Sequence, residues 1–232
     1  PPRSTLFPYT TLFRSPDGSK LRGRIVNTWG ARLMPKLTDT LSAELEGAVQ
    51  AGEKDGGAST RGYMGYAGLT YKPQMDNAWK PWFTGSIYYL SGDRNRGPND
   101  NDTAWDPLWA RWPQHSELYV YNFIYGAGYW SNLIYPSIEA GLGFAPGHAV
   151  KASIGPMYAA VEDHLGVPAG TEGGDLYGWL GMVRYDFPLF KGLFGKRGDL
   201  SGHVTAEVLD PGDYYASDTV AYFLRWEVVF RF

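Results

Sequence analysis

Apolar and polar side chains alternate one by one along most of this chain, and the alternation restarts after each break. Thr219–Phe232 shows it best: Val220, Tyr222, Leu224, Trp226, Val228, Phe230 and Phe232 share one parity, while the other carries Arg225, Glu227 and Arg231. A strand turns successive side chains to opposite faces, so this period predicts a strand with one greasy face. The same reading applies to Leu21–Leu33, Thr38–Gly52, Gly62–Lys72, Trp79–Ser91, Asn132–Phe144, His148–Val161, Asp175–Leu189 and Leu200–Leu209. In Asp175–Leu189 it places Tyr177, Trp179, Val183, Tyr185 and Phe187 together, against Arg184 and Asp186. Leu41–Gln50 has a composition compatible with helix, but its strict two-residue period prefers strand. The expectation is all-β: about nine antiparallel strands, each apolar on one face.

The lengths of the breaks add topology. Met34–Lys36, Pro73–Ala78 and Ala145–Gly147 are short turns, with Phe190–Asp199 longer. They alternate with Glu53–Gly57, Gly92–Ser131, Glu162–Gly174 and Asp210–Asp218, which are mostly longer and rich in Asp and Gly. Short turns at one end and long loops at the other are the pattern of a transmembrane β-barrel, whose strands need about ten residues each. Aromatic residues fall near both ends. Tyr63, Tyr89, Tyr177 and Tyr222 lie toward the loops, and Tyr71, Trp79, Phe144, Phe187 and Phe230 toward the turns, as two interfacial girdles. The aromatic ending at Phe232 resembles the C-terminal strand by which bacterial outer-membrane barrels are recognised by their assembly machinery. Barrels of this kind have an even strand number with both ends in the periplasm, so nine strands predict a fragment lacking an odd number of upstream strands.

Composition changes the picture in four places. No run of eighteen apolar residues exists, so no membrane helix is expected, and alternation hides a barrel's hydrophobicity from an average. A net charge of -3 implies no basic face for nucleic acid. There are no cysteines, which removes disulfides, thiol chemistry and Cys-ligated metals. Thr5–Ser15, TLFPYTTLFRS, resembles a translated sequencing adapter, so residues 1–15 are set aside as an artefact and 16–232 are read as the biological segment.

The middle of the chain carries a family resemblance. YLSGDRN (Tyr89–Asn95), WDPLW (Trp105–Trp109), RWPQHSELY (Arg111–Tyr119) and YWSNL (Tyr129–Leu133) resemble the alginate export family of outer-membrane proteins. NTWGARL (Asn27–Leu33) and LEGAVQAG (Leu45–Gly52) fit the same pattern. The resemblance covers residues 20–232 and implies the C-terminal half of a monomeric barrel of about eighteen strands in the bacterial outer membrane. Its implied partners are outer-membrane lipid, the assembly machinery and an anionic, alginate-like polyuronate passing through an arginine-lined lumen.

The polar parities supply candidates for that lumen. Arg22, Arg24, Arg32, Lys80, Lys151, Arg184, Arg225 and Arg231 share them with Glu44, Glu46, Glu139, Asp186, Glu207 and Glu227. Arg24, Lys151, Arg184 and Arg225 are expected at mid-depth, with Glu139, Glu207 and Glu227 beside them. Cations attract a polyuronate, and Arg can grip a carboxylate with both arms of its fork. The competing reading is that these charges pair with carboxylates and stiffen the wall. Gly92–Ser131 holds Trp105, Trp109, Trp112, Tyr119, Tyr121, Tyr125, Tyr129 and Trp130, which could stack on sugars or pack together as a cap. Asp100, Asp102 and Asp106 offer hard oxygens for calcium without an EF-hand's glycine turn or terminal Glu. No other cofactor is expected. Ser201 with His203, and His115 with Ser116, lack an orienting third group, so no enzyme is read here. The rival functions are a general or sugar-uptake porin and a barrel with a plugged lumen.

Overall fold

The computed structural model describes residues 10–11, 24–54, 59–75, 78–94, 101–108, 116, 131–162, 174–192 and 198–231. They form one antiparallel sheet of β1 (Thr10–Thr11), β2 (Arg24–Leu33), β3 (Leu41–Lys54), β4 (Ser59–Tyr71), β5 (Lys80–Leu90), β6 (Leu133–Ala145), β7 (His148–Tyr158), β8 (Leu176–Phe190), β9 (Asp199–Pro211) and β10 (Ala221–Arg231). Every strand pairs with its neighbours in chain order, from β1 to β10, and the sheet is open. The nine long strands, β2 to β10, are the nine read from the alternation. β1 is a two-residue ladder on Arg24 and Ile25, made by Thr10 and Thr11 of the segment set aside as artefact. Leu41–Gln50 is strand throughout, in register with β2 and β4.

The two faces differ as the period requires. On β10, Tyr222, Leu224 and Trp226 are 78%, 73% and 75% exposed, while Phe223, Arg225 and Glu227 between them are half-buried. The same parity exposes Ile25, Trp29, Leu45, Val49, Leu69, Phe83, Ile87, Ile138, Ile154 and Val183 on the other strands. The greasy sides do not close on each other as a dry sandwich. Phe187 instead spreads over Gly202, its cross-strand partner, and covers a backbone that has no side chain of its own.

The core lies on the other side of the sheet, at the end with the long connections. Tyr88, Leu90, Leu133, Tyr135, Met157, Leu180 and Leu209 share the parity of the polar residues and are buried there with Tyr177 and Tyr214. Strict alternation puts Tyr177 on the apolar face, in the aromatic girdle. In the structure it is 2% exposed and belongs to this core. The cause is a β-bulge. Met157 pairs with Gly178 but Tyr158 pairs with Leu176, so Tyr177 is the extra residue and switches sides. Gly178 makes this possible with φ 134°, a conformation that side-chain-bearing residues avoid. At the opposite end, Pro146 and Gly147 form the two-residue turn between β6 and β7, and the φ of 81° at Gly147 suits the third position of a type II turn.

Gly178→Ala is therefore expected to cost about 1–3 kcal/mol, because the new Cβ would lie 2.2 Å from the Asp210 carbonyl oxygen at an unfavourable φ. Gly65→Ala, where nothing lies within 4 Å of the added carbon, should stay within about 0.5 kcal/mol of the parent. Denaturant midpoints followed by tryptophan fluorescence compare the two.

Candidate functional site

The polar face is built from rungs, rows of residues that face each other across successive strands. One rung runs Trp82, Gly141, Lys151, Arg184, Thr205, Arg225, each residue in register with the next. Toward the long loops the neighbouring same-face rung runs Thr84, Glu139, Ser153, Met182, Glu207, Phe223. Toward the turns, Lys80, Gly143, Ala149, Asp186, His203 and Glu227 form the next. Six of the seven residues expected from the sequence to meet substrate thus fall on these three rungs: Lys151, Arg184, Arg225, Glu139, Glu207 and Glu227. A row of cations is held between two rows that carry carboxylates. Arg24 begins β2, far along the sheet, and its side chain lies outside the described residues, as does Arg22.

Lys151 and Arg184 stand directly opposite each other, an arrangement that repels like charges. Each turns to a carboxylate instead. Lys151 Nζ donates to Glu139 Oε2 at 2.9 Å. Arg184 holds Asp186, two residues on along the same strand, with Nη2–Oδ1 at 2.6 Å and Nε–Oδ1 at 3.0 Å. Arg225 pairs with Glu227, and Arg32 with Glu44 and Glu46. These pairs are partly solvated, so each contributes about 0–1 kcal/mol. Their larger effect is to neutralise the row locally.

Between the charged regions, β4–β6 present a neutral stretch. Thr70 and Thr84 share a hydrogen bond of 2.9 Å, and Ser86 and Ser137 one of 3.0 Å. Trp82 lies across Gly141, filling the space a Cβ would occupy, and its Nε1 donates to Glu139 Oε1 at 3.1 Å. Its position on the polar parity of β5, between Lys80 and Thr84, is the sequence signal that could have singled it out.

The described part of the long loop crosses this face. Gln50, 2% exposed on β3, donates to the Asp106 carbonyl at 2.7 Å and accepts from the Asp106 amide at 2.8 Å. Asp102 bridges to Thr60 on β4. Ser116 donates to the carboxylate of Glu207, which is 6% exposed, so the segment reaches from β3 to β9. Trp105 packs on the core; the other aromatic residues noted between Trp109 and Trp130 lie outside the described residues, as does His115. Ser116 thus meets a carboxylate on a strand distant in sequence. Ser201 and His203 lie on the polar face, where His203 stands between Asp186 and Glu227.

Of the three calcium candidates, Asp100 lies outside the described residues. Asp102 Oδ1 accepts the Ala104 amide at 3.0 Å, and Asp106 Oδ1 accepts the Leu108 amide at 2.8 Å. Both carboxylates thus close Asx-type turns. Among the described residues no three His, Cys, Asp or Glu side chains gather to hold a metal.

One polar knot ties the loops to the core. Asn132 adopts φ 54°, which Asn tolerates, and is 1% exposed. Its Nδ2 donates to the Val161 carbonyl and to Tyr177 Oη, and its Oδ1 accepts the Val161 amide. Tyr177 in turn donates to the Asn132 carbonyl and packs 4.3 Å, centroid to centroid, from Tyr214. Burial raises the pKa of the Tyr214 phenol from 10.0, partly offset by a hydrogen bond with Tyr177.

No family model matches the chain, and no curated protein matches its sequence.

Asn132→Ala should destabilise the chain by about 2–4 kcal/mol, because the Val161 amide and carbonyl lose buried partners together; denaturant unfolding measures it. Tyr214 gives a pH signature. Its folded pKa is raised, so its contribution to stability is complete below pH 10.0 and lost as pH rises through the folded value. An ultraviolet tyrosinate titration should show late-ionising phenols, one fewer of them in Tyr214→Phe.

Proposed function

We propose that the apolar face of this sheet contacts lipid, that the polar face lines water, and that the chain is wall of a bacterial outer-membrane β-barrel passing saccharides. The observation that carries this reading is the exposure of large apolar side chains on one parity of all nine long strands. Water is a poor solvent for so continuous a greasy surface, and monomeric soluble proteins rarely leave one. Lipid satisfies it, and each interior antiparallel strand has its amides and carbonyls satisfied by its two neighbours, so that closing the sheet leaves no backbone group unpaired in lipid. The position of the aromatic residues agrees. Tyr222 and Phe230 are eight residues apart on β10, about 26 Å along a strand. At a tilt of about 35–45° that spans about 20 Å of depth, near the roughly 25 Å apolar band of such barrels.

The cargo follows from the rungs. Lys151, Arg184 and Arg225 in one row would meet the carboxylates of a polyuronate, and the flanking carboxylates would keep each contact weak enough for the polymer to advance. This is the anionic-polysaccharide channel that the resemblance to the alginate export family implies. A general saccharide porin is the second reading. It is favoured by the ion pairs, because Lys151, Arg184 and Arg225 each already hold a carboxylate.

The test uses the closed barrel of which this chain is wall, folded into lipid vesicles and planar bilayers, because the sheet by itself is open. Brominated acyl chains should quench tryptophan fluorescence, and Trp226→Phe should reduce the quenching. Oligouronates should block the current more strongly than uncharged oligosaccharides of equal length. The triple variant Lys151→Gln, Arg184→Gln, Arg225→Gln should weaken that block about tenfold or more. Equal block by both sugars would select the general porin. Absence of quenching and of current would overturn the membrane reading itself.

A further inference from the structure

Lys151, Arg184 and Arg225 are held by carboxylates, but two cations on the same face are not. Lys72 follows β4 and Lys80 opens β5, both on the polar parity, and neither forms an ion pair with any described residue. They line a cleft of about 850 Å³ at the turn end of the sheet. The register brings them to either side of Trp82. Tyr71 pairs with Phe83, which sets Lys72 across from Trp82, and Lys80 is two residues before it on the same strand. Thr70 and Thr84, joined by their hydroxyls, continue the lining. Asp39 also borders the cleft, and its carboxylate is bound to Lys36 Nζ at 2.9 Å.

The geometry points to a binding subsite for an anionic pyranose ring, with Trp82 as its platform and Lys72 and Lys80 as its carboxylate clamps. The inference rests on the channel reading and places the first contact of the sugar at the turn-end mouth. Three features select this ligand. The Trp82 ring is fixed from behind by Gly141 and along its edge by the bond from Nε1 to Glu139, so it is held in place before a ligand arrives. An indole face of this kind suits the flat C–H face of a pyranose, an apolar contact that needs no charge. The two ammonium groups are compact charges on long stems, free to close on a carboxylate at the ring's edge. The hydroxyl pair of Thr70 and Thr84 can accept from or donate to ring hydroxyls. The mid-face cations differ in that a ligand must first displace a carboxylate partner, which costs affinity and suits passage over capture.

The experiment titrates the same closed barrel, folded in detergent, with oligoglucuronate and with an uncharged glucose oligomer of equal length, by calorimetry. Two variants are compared with the parent: Trp82→Ala, and the double variant Lys72→Gln, Lys80→Gln. The expected result is a loss of tenfold or more in oligoglucuronate affinity in both. The uncharged oligomer should lose affinity only in Trp82→Ala. Because Trp82→Ala could disturb the wall, Trp82→Phe serves as a third variant and should retain most of the affinity. Unchanged oligoglucuronate affinity in the lysine variant, or equal loss for both sugars in it, would overturn the subsite. Bilayer current recorded on the same samples separates the two readings. Current that persists with no change in sugar affinity refutes the subsite alone, and absence of current in the parent refutes the channel on which it rests.

Discussion

The constraint on which the structure depends is the pairing of backbone groups between antiparallel neighbours while side chains alternate between two faces. Pairing in chain order satisfies each interior strand on both edges, so the ladder is indifferent to what surrounds it. The side chains are not indifferent. One parity is greasy from β2 to β10 and stands exposed, so no water-soluble arrangement of this sheet alone buries it. The core that does form had to be made elsewhere. It sits on the polar parity, at the loop end, where Tyr88, Leu90, Leu133, Tyr135, Leu180 and Leu209 replace the charges found nearer the turns. The same strands are therefore apolar inside at one end and ionic at the other.

That division explains the electrostatics. Near the turns the face is wide enough in polar groups for alternate rungs to carry opposite sign, and Lys151 and Arg184 tolerate being opposite because Glu139 and Asp186 stand one rung away on either side. Near the loops the sheet is covered. Gln50, Asp102 and Ser116 bring the long connection across the face, and Glu207 is buried where Ser116 meets it. A carboxylate expected to line open water is, in this structure, an anchor for the covering segment. The turn-end cleft beside Trp82 is by contrast open, and its lysines form no ion pair with any described residue.

Much of the fold was legible in the chain's amino-acid order. Each of the nine long strands was legible from its period within a few residues, and so were the faces of Arg184, Glu139 and Arg225, because strand geometry is local and a two-residue period needs no knowledge of the partner. The turns were legible too, through Pro146–Gly147 and the other breaks. What sequence missed has one physical origin. Tyr177 went to the wrong face because a single inserted residue shifts a strand's register, and only pairing with β7 reveals which residue is extra. The partners of Lys151 and Arg225, the hold of Ser116 on Glu207, and the seat of Trp82 over Gly141 all depend on register between strands tens of residues apart. Local alternation decides which way a side chain points. Cross-strand register, fixed by turns, bulges and packing together, decides whom it meets.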